Sequence, residues 1–294
     1  MVSPQIFGNV VDKGRVAALP QSLNARAQAL ASLSKLPALS PMLMRLVQTL
    51  AGEADDVSFG KVAQLIERDT VVAGNVLRVV NSPLYQRRVP VQSIRHAIVL
   101  LGLAKVRNLA LGMSVNHLWI KTKAAPGWSM PEFNQHAVAT AVLADLLTQR
   151  LRVIEGEAAF LAGLFHDLGR LLIAVGLPSE YAAIARLHQQ SQQPVWECER
   201  TILGFDHADL SGDVLATWRL TLAAQAAVRH HHAPQNDRTL AAPGELRLSQ
   251  VLYAAERQIE DGLPDGVEAL GLGKHLEPIL EEFSVELKQI SCLF

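Results

Sequence analysis

The chain has 294 residues, 49% hydrophobic and 19% charged, with a formal net charge of −1 and a pI near 6.8. This excludes a disordered chain and gives no bulk electrostatic pull toward nucleic acid or an anionic membrane. The length fits one large or two small domains around a sizeable core. Two cysteines, Cys198 and Cys292, are too few for a disulfide framework, and a reduced cytoplasmic protein is expected. The N-terminus has no basic segment leading into an apolar core, so no secretory signal is expected. The longest apolar run, 158–177, is interrupted by His166, Asp167 and Arg170, which argues against a membrane span.

Residues 1–20 show little periodicity and read as a loose arm, followed by a helix over 22–33. Ser40 and Pro41 are a good N-cap and first helical position. Met42, Leu43, Leu46, Val47 and Leu50 line one face of that helix, and Gly52 stops it. Ser58 starts the next, with Val62, Leu65 and Ile66 inward. Asp69 caps a third, which ends before Pro83 because the residue ahead of proline resists the α region. Ser93 begins a fourth, and Gly102 separates it from a fifth running from Leu103 to about Trp119. The stretch 121–131 breaks the pattern and is read as a lobe boundary.

Beyond it, helices are expected over 132–150, 155–175, 179–190, 195–203, 206–218, 220–232, 245–261 and 274–292. No stretch sustains period-2 alternation, so the expected class is all-α. The expected organisation is an arm and helix over 1–30, a helical lobe over 31–125 and a second helical lobe over 126–294.

The segment 159–172 is an apolar helix carrying the adjacent pair His166-Asp167 near its middle. A buried carboxylate needs partners, and the two cheapest are a metal ion and a hydrogen-bond network. Gly169 permits a bend or a close backbone approach. Glu132 and His136 share a helix face. His207, the run His230–His232 and Glu256 follow in the same lobe. Together Glu132, His136, His166, Asp167, His207, His231, His232 and Glu256 offer a metal-ligand set suited to Fe, Mn, Zn or Ni, as one or two ions. The alternative is a set of satisfied core histidines and, for Glu132, a charge favoured by the helix dipole. Three successive residues on a helix cannot face one site, so one or two of His230–His232 are expected to ligate. Arg87 and Arg88 read as a solvated basic face, and Trp119 and Trp128 as packing anchors.

Several motifs resemble the HDOD family, bacterial signalling modules related to the HD metal-dependent phosphohydrolases. In the first lobe they are Leu36-Pro37-Ala38-Leu39, Ile66-Glu67-Arg68-Asp69, Val80-Asn81-Ser82-Pro83-Leu84-Tyr85 and the run from Ser93 to Gly102. In the second they are Gly163-Leu164-Phe165-His166-Asp167-Leu168-Gly169, the run Gly204 to Asp209, Trp218-Arg219-Leu220 and His231-His232-Ala233-Pro234. The resemblance spans roughly residues 31 to 260 and implies a two-lobed helical fold with a role in signal transduction.

By the same resemblance, His136 matches the first ligand histidine, and His166 and Asp167 the defining pair. His207 and His231, or its neighbour His232, match the extra histidines of HD-GYP relatives, and Glu132 their additional carboxylate. The chain departs from the pattern in three places. Glu256 replaces the last aspartate, Arg170 replaces a lysine, and no Gly-Tyr-Pro follows the paired histidines. Arg170 is the cation beside the motif and the expected phosphate contact. Asp237 would repel a phosphate if it faced the site.

The first functional expectation is a cytoplasmic signalling module acting through contacts with partner signalling proteins. It would use neither nucleic acid nor membrane, and its second lobe leaves room for a metal and a small-molecule ligand. The alternative is a metal-dependent phosphohydrolase acting on a nucleotide or phosphoester. Cyclic-dinucleotide hydrolysis is not expected.

Overall fold

The computed structural model describes residues 21–49, 59–82, 89–262, 267, 269–272 and 276–291. The expected arm, Gly52, Ser58, Pro83, Arg87, Arg88 and Cys292 lie outside the described residues. The fold is all-α. In the first half the helices are α1 (Gln21–Ala31), α2 (Pro41–Gln48), α3 (Phe59–Glu67), α4 (Thr70–Val80), α5 (Ile94–Leu101) and α6 (Leu103–Trp119). The second half holds α7 (Met130–Thr148), α8 (Ala159–Phe165), α9 (Leu168–Gly176), α10 (Pro178–Ser191) and α11 (Val195–Leu203). It continues with α12 (His207–Thr217), α13 (Leu222–Arg229), α14 (Leu248–Asp261) and α15 (Leu276–Ser291). An isolated parallel bridge joins Val153 to Leu246.

The expected caps form. Ser40 Oγ accepts from Leu43 N at 3.1 Å and Ser93 Oγ from His96 N at 3.2 Å. Asp69 Oδ1 accepts from Val71 N and Val72 N at 3.1 and 3.0 Å. Each such cap contributes about 1 kcal/mol to its helix.

Two expected helices differ. The helix over 155–175 is not continuous. A 3-10 turn, Gly156–Ala158, leads into α8, which ends at Phe165, and α9 begins only at Leu168. Asp167, at φ −96 and ψ 7, leaves the helical track, so His166 and Asp167 form a corner rather than a mid-helix pair. The helix over 220–232 ends at Arg229, and the histidines follow in a turn. The segment 156–176 is long and apolar enough to cross a membrane, at a mean hydropathy of 1.6, but its most apolar 18 residues are 89% buried inside the protein.

One apolar core runs through both halves, from Leu43, Ile66 and Val76 through Leu111 and Leu143 to Leu252 and Ile279. A second cluster joins Ala29 of α1 to Ile173, Ile184, Cys198, Phe205 and Leu210. Helix α1 therefore packs on α9, α11 and α12. Ser32 Oγ donates to Leu172 O at 3.0 Å, and Arg26 pairs with Asp213 at 2.7 Å.

Two glycines bring the site helices together. A Cβ on Gly163 would sit 2.6 Å from Ala141 Cα, so the crossing of α7 and α8 requires glycine there. A Cβ on Gly169 would overlap the carbonyl oxygen of His207, so α9 and the start of α12 meet backbone to backbone. Ser211 Oγ accepts from Gly169 N at 2.8 Å and fixes that meeting.

Candidate metal centre

The two crossings decide which side chains converge. Helix α7 supplies His136, and the corner after α8 supplies His166 and Asp167. The start of α12 supplies His207, the turn after α13 supplies His231 and His232, and α14 supplies Glu256. Asp206 caps α12 with a capping box to Asp209, which sets the entry of His207.

Asp167 lies at the centre. Its Oδ1 is 3.0 Å from His207 Nε2, 3.6 Å from His166 Nε2 and 4.0 Å from His231 Nε2. Its Oδ2 is 3.7 Å from His136 Nε2. Glu256 Oε1 is 3.7 Å from His231 Nε2 and 3.6 Å from His232 Nδ1. His136 Nε2 and His166 Nε2 stand 3.1 Å apart, and His207 Nε2 and His232 Nε2 2.9 Å apart. Atoms held ~2.1 Å from one tetrahedral ion stand ~3.4 Å from each other. Ligand atoms lie within 4.8 Å of one another in His166, Asp167, His231 and Glu256, in His207, His231 and His232, and in His136, Glu256 and Glu260.

The outer contacts fix the ring nitrogens. A carbonyl only accepts, so His166 Nδ1 donates to Gly163 O at 2.7 Å and His231 Nδ1 to Val228 O at 2.6 Å. In the neutral ring each Nε2 then keeps its lone pair, turned inward. Glu199 accepts from His207 Nδ1 at 2.6 Å and from His207 N at 2.8 Å. That carboxylate–imidazole pair is the usual outer support of a metal-bound histidine.

The electrostatics agree with an ion-binding purpose. Burial, reinforced by His136 and His207, lowers His166 to about 4 despite the neighbouring Asp167. Burial and the surrounding imidazoles hold His231 and His232 well below the ordinary histidine value. These rings are neutral and able to ligate at neutral pH. Burial opposes a charge on His207, but the carboxylates of Glu199 and Asp167 outweigh it and raise its pKa. Burial likewise opposes the Asp167 charge, and His166, Arg170 and His207 more than offset it. Burial together with Asp167 and Glu260 pushes Glu256 well up.

The residues fit a metal ion by a direct observation. His231 Nε2 and Asp167 Oδ1 are buried and neither has an aligned hydrogen bond. Asp167 Oδ1 has only the His207 ring 3.0 Å away and His231 Nε2 has no partner, and a cation between them would satisfy both.

A cavity of about 490 Å3 opens beside the cluster, lined by Asp167, His207, His232, Trp196, Tyr253 and Glu256 among others. A second, of about 190 Å3, reaches Asp167 and His136 from the side of Trp128 and Tyr181. Arg170 lines both cavities, with its guanidinium donating to Asp167 Oδ2 at 2.8 Å.

Glu132 stands apart from the converging ligands. It is exposed on the first turn of α7 and lines the smaller cavity. Glu260 instead groups with His136 and Glu256. Asp237 does not line either cavity; it accepts from Ser249 Oγ at 2.6 Å and Thr239 N at 2.8 Å. Trp119 is buried, with Nε1 donating to Pro37 O at 3.3 Å, and Trp128 packs on Phe133 and Tyr181.

The sequence reading missed Glu199 and Glu260. Glu199 shares the buried face of α11 with Cys198 and Leu203.

The HDOD domain profile matches residues 36–234. The chain belongs to the HDOD family. Solved structures share this HDOD fold. An HDOD domain protein of unknown function from Geobacter sulfurreducens is 21% identical, with a TM-score of 0.70 over 92% of this chain and 99% of that one. A protein from Shewanella amazonensis SB2B, named as a candidate phosphohydrolase, is 22% identical, with a TM-score of 0.67 over 91% and 97%. A protein from Marinobacter aquaeolei VT8, named as a candidate signal transduction protein, is 20% identical, with a TM-score of 0.67 over 94% and 66%. Comparison with curated protein sequences gives no significant match.

Proposed function

We propose that this HDOD protein is a signal-transduction protein built around a divalent transition-metal centre that acts on a phosphoester. The observation that carries the reading is the convergence of buried His166, Asp167, His231 and Glu256, with His231 Nε2 left without a hydrogen bond, beside a cavity large enough for a small ligand. The phosphohydrolase and signal-transduction names of its structural relatives agree with it.

His166, Asp167, His207, His231, His232 and Glu256 are the ligand set, with His136 on the side of the smaller cavity. An ion held by these residues would supply a water of lowered pKa and polarisation of a phosphoryl oxygen. The protein's own contribution is orientation. Gly163 O, Val228 O and Glu199 hold three imidazoles in the ligating direction, and the apolar walls of α8 and α9 keep bulk water from the buried side. Arg170 stands at the junction of the two cavities, where a phosphate would meet it. A partner signalling protein receives the output.

A second reading keeps the metal and drops the turnover: the ion organises the second half, and the module signals by contact. The pairing of Arg170 with Asp167 favours it, because that cation is already engaged within the motif. Elemental analysis of protein purified without added metal or affinity-tag nickel tests the shared part. An Asp167→Ala variant is expected to lose the ion and the stability it confers, about 2.7 kcal/mol at a hundredfold excess over Kd. Full metal occupancy in that variant would remove the site. Turnover of p-nitrophenyl phosphate, nucleoside monophosphates and cyclic dinucleotides by metal-loaded protein then separates the readings. Hydrolysis that vanishes in Asp167→Ala establishes the enzyme, and metal without hydrolysis selects the contact module.

A further inference from the structure

A second cleft, of about 930 Å3, lies between the start of α6, the later part of α7 and α15, and shares no lining residue with the metal centre. The first turn of α6 forms one wall. Gly102 is its N-cap, at φ 85, and gives no side-chain cap. The N–H groups of Leu103 and Ala104 therefore have no helical acceptor, at the positive end of a 17-residue helix.

Arg107 is the independent observation. It lines the same cleft, is only 5% exposed, and its Nε has no hydrogen-bond partner. Among the described residues no carboxylate forms an ion pair with it. Glu157 and Asp145 attract this guanidinium only through space and leave its Nε unsatisfied, and an anionic group seated against Arg107 and the α6 terminus would satisfy both.

The facing wall has the opposite sign. Asp145, Glu157 and Glu282 line it. Lys105 is neutralised by Glu286, and Glu282 is paired with Arg150 at 2.7 Å. A simple anion meets the carboxylates, and a simple cation meets Arg107 and the helix end. Leu100, Leu103 and Val285 give an apolar stretch alongside. We propose that this cleft binds a small zwitterion, an amino-acid-like ligand. Its carboxylate rests on Arg107 and the α6 N-terminus, and its ammonium on Asp145.

The test is calorimetric titration and thermal shift of the full chain. The probes are the twenty proteinogenic amino acids, with acetate and inorganic phosphate as anion-only controls and putrescine as the cation-only control. At least one amino acid is expected to bind saturably and raise Tm, with no comparable response to the controls. Arg107→Met and Asp145→Asn are each expected to weaken that binding at least tenfold while metal content stays unchanged. Val285→Trp, on the partly exposed face of α15, fills the cleft and is expected to abolish binding even if Arg107→Met fails to fold. Equal binding of acetate, phosphate or putrescine overturns the proposal. So does the absence of a saturable response to every amino acid, or undiminished binding in Val285→Trp.

Discussion

Among single residues, Glu199 and Glu256 show how much of the candidate centre lies in proton placement. Glu199 holds His207 through Nδ1 at 2.6 Å, so Glu199→Gln leaves the ring in place but weakens the pull on its proton. Metal affinity is expected to fall 10- to 100-fold, roughly the usual loss when the outer partner of a ligand is changed, as measured by chelator competition. The pH dependence has two opposite parts. His207 is raised by its carboxylates and Glu256 by burial, so both carry protons in the metal-free protein and must release them to ligate. Metal affinity is thus expected to rise with pH. The His207 contribution to the metal-free fold runs the other way. It is complete below the unfolded value of about 6.5 and is lost as pH climbs through the raised folded value. The gap in Tm between loaded and metal-free protein should therefore widen from pH 6 upward. Calorimetry in buffers of different ionisation enthalpy should also register proton release. A gap that narrows with pH would contradict the assignment of His207. The clustering of these candidate ligands was legible in the sequence because the residue types and their order are rare together. Glu199 was not, since one buried glutamate in Trp196-Glu197-Cys198-Glu199 carries no spacing signature.

Helices and corners explain where sequence periodicity succeeds and where it stops. The capped starts at Ser40, Asp69 and Ser93 were readable because a cap is a local hydrogen bond between neighbours in sequence. The corner at His166-Asp167 was hidden, because the residues on both sides are apolar and helix-forming and only the tertiary crossing breaks the run. The end of α13 at Arg229 was hidden for a related reason. Placing His231 and His232 in a turn lets neighbours in sequence point to one centre, which a helix forbids. Gly169 was legible as a permissive residue, but not as the contact point of α9 with α12. Gly169→Ala puts a methyl group against the carbonyl of His207 and must push the two helices apart. The expected cost is ~1–3 kcal/mol, with a larger loss of metal occupancy than of stability, because His207 moves from Asp167. Thermal denaturation and metal analysis on the same preparation check it. Unchanged metal content would mean that the crossing does not set the ligand geometry.

Taken as a whole, the molecule has a core that does not respect the division drawn at 121–131. Leu111 of α6, Leu143 of α7 and Ile279 of α15 belong to one buried cluster, and Ala125 N in the connecting stretch donates to Ala174 O at 2.9 Å. A single cooperative calorimetric transition is therefore expected, with no stable fragment after cleavage near Gly127. Two resolved transitions would show that the halves fold separately. The all-α class could be read from the helical periods, and a buried interface across the division from the apolar helices flanking it, but not which faces meet. Helix α1 shows the same point. It is the first of the described helices yet rests on α9, α11 and α12, where Arg26 shares Asp213 with Arg229, two residues before His231. A pull or a twist applied to α1 would therefore arrive at the histidine turn through three side chains, bypassing α2 to α6. In mechanical terms α1 is a lever whose short arm ends beside the candidate metal ligands.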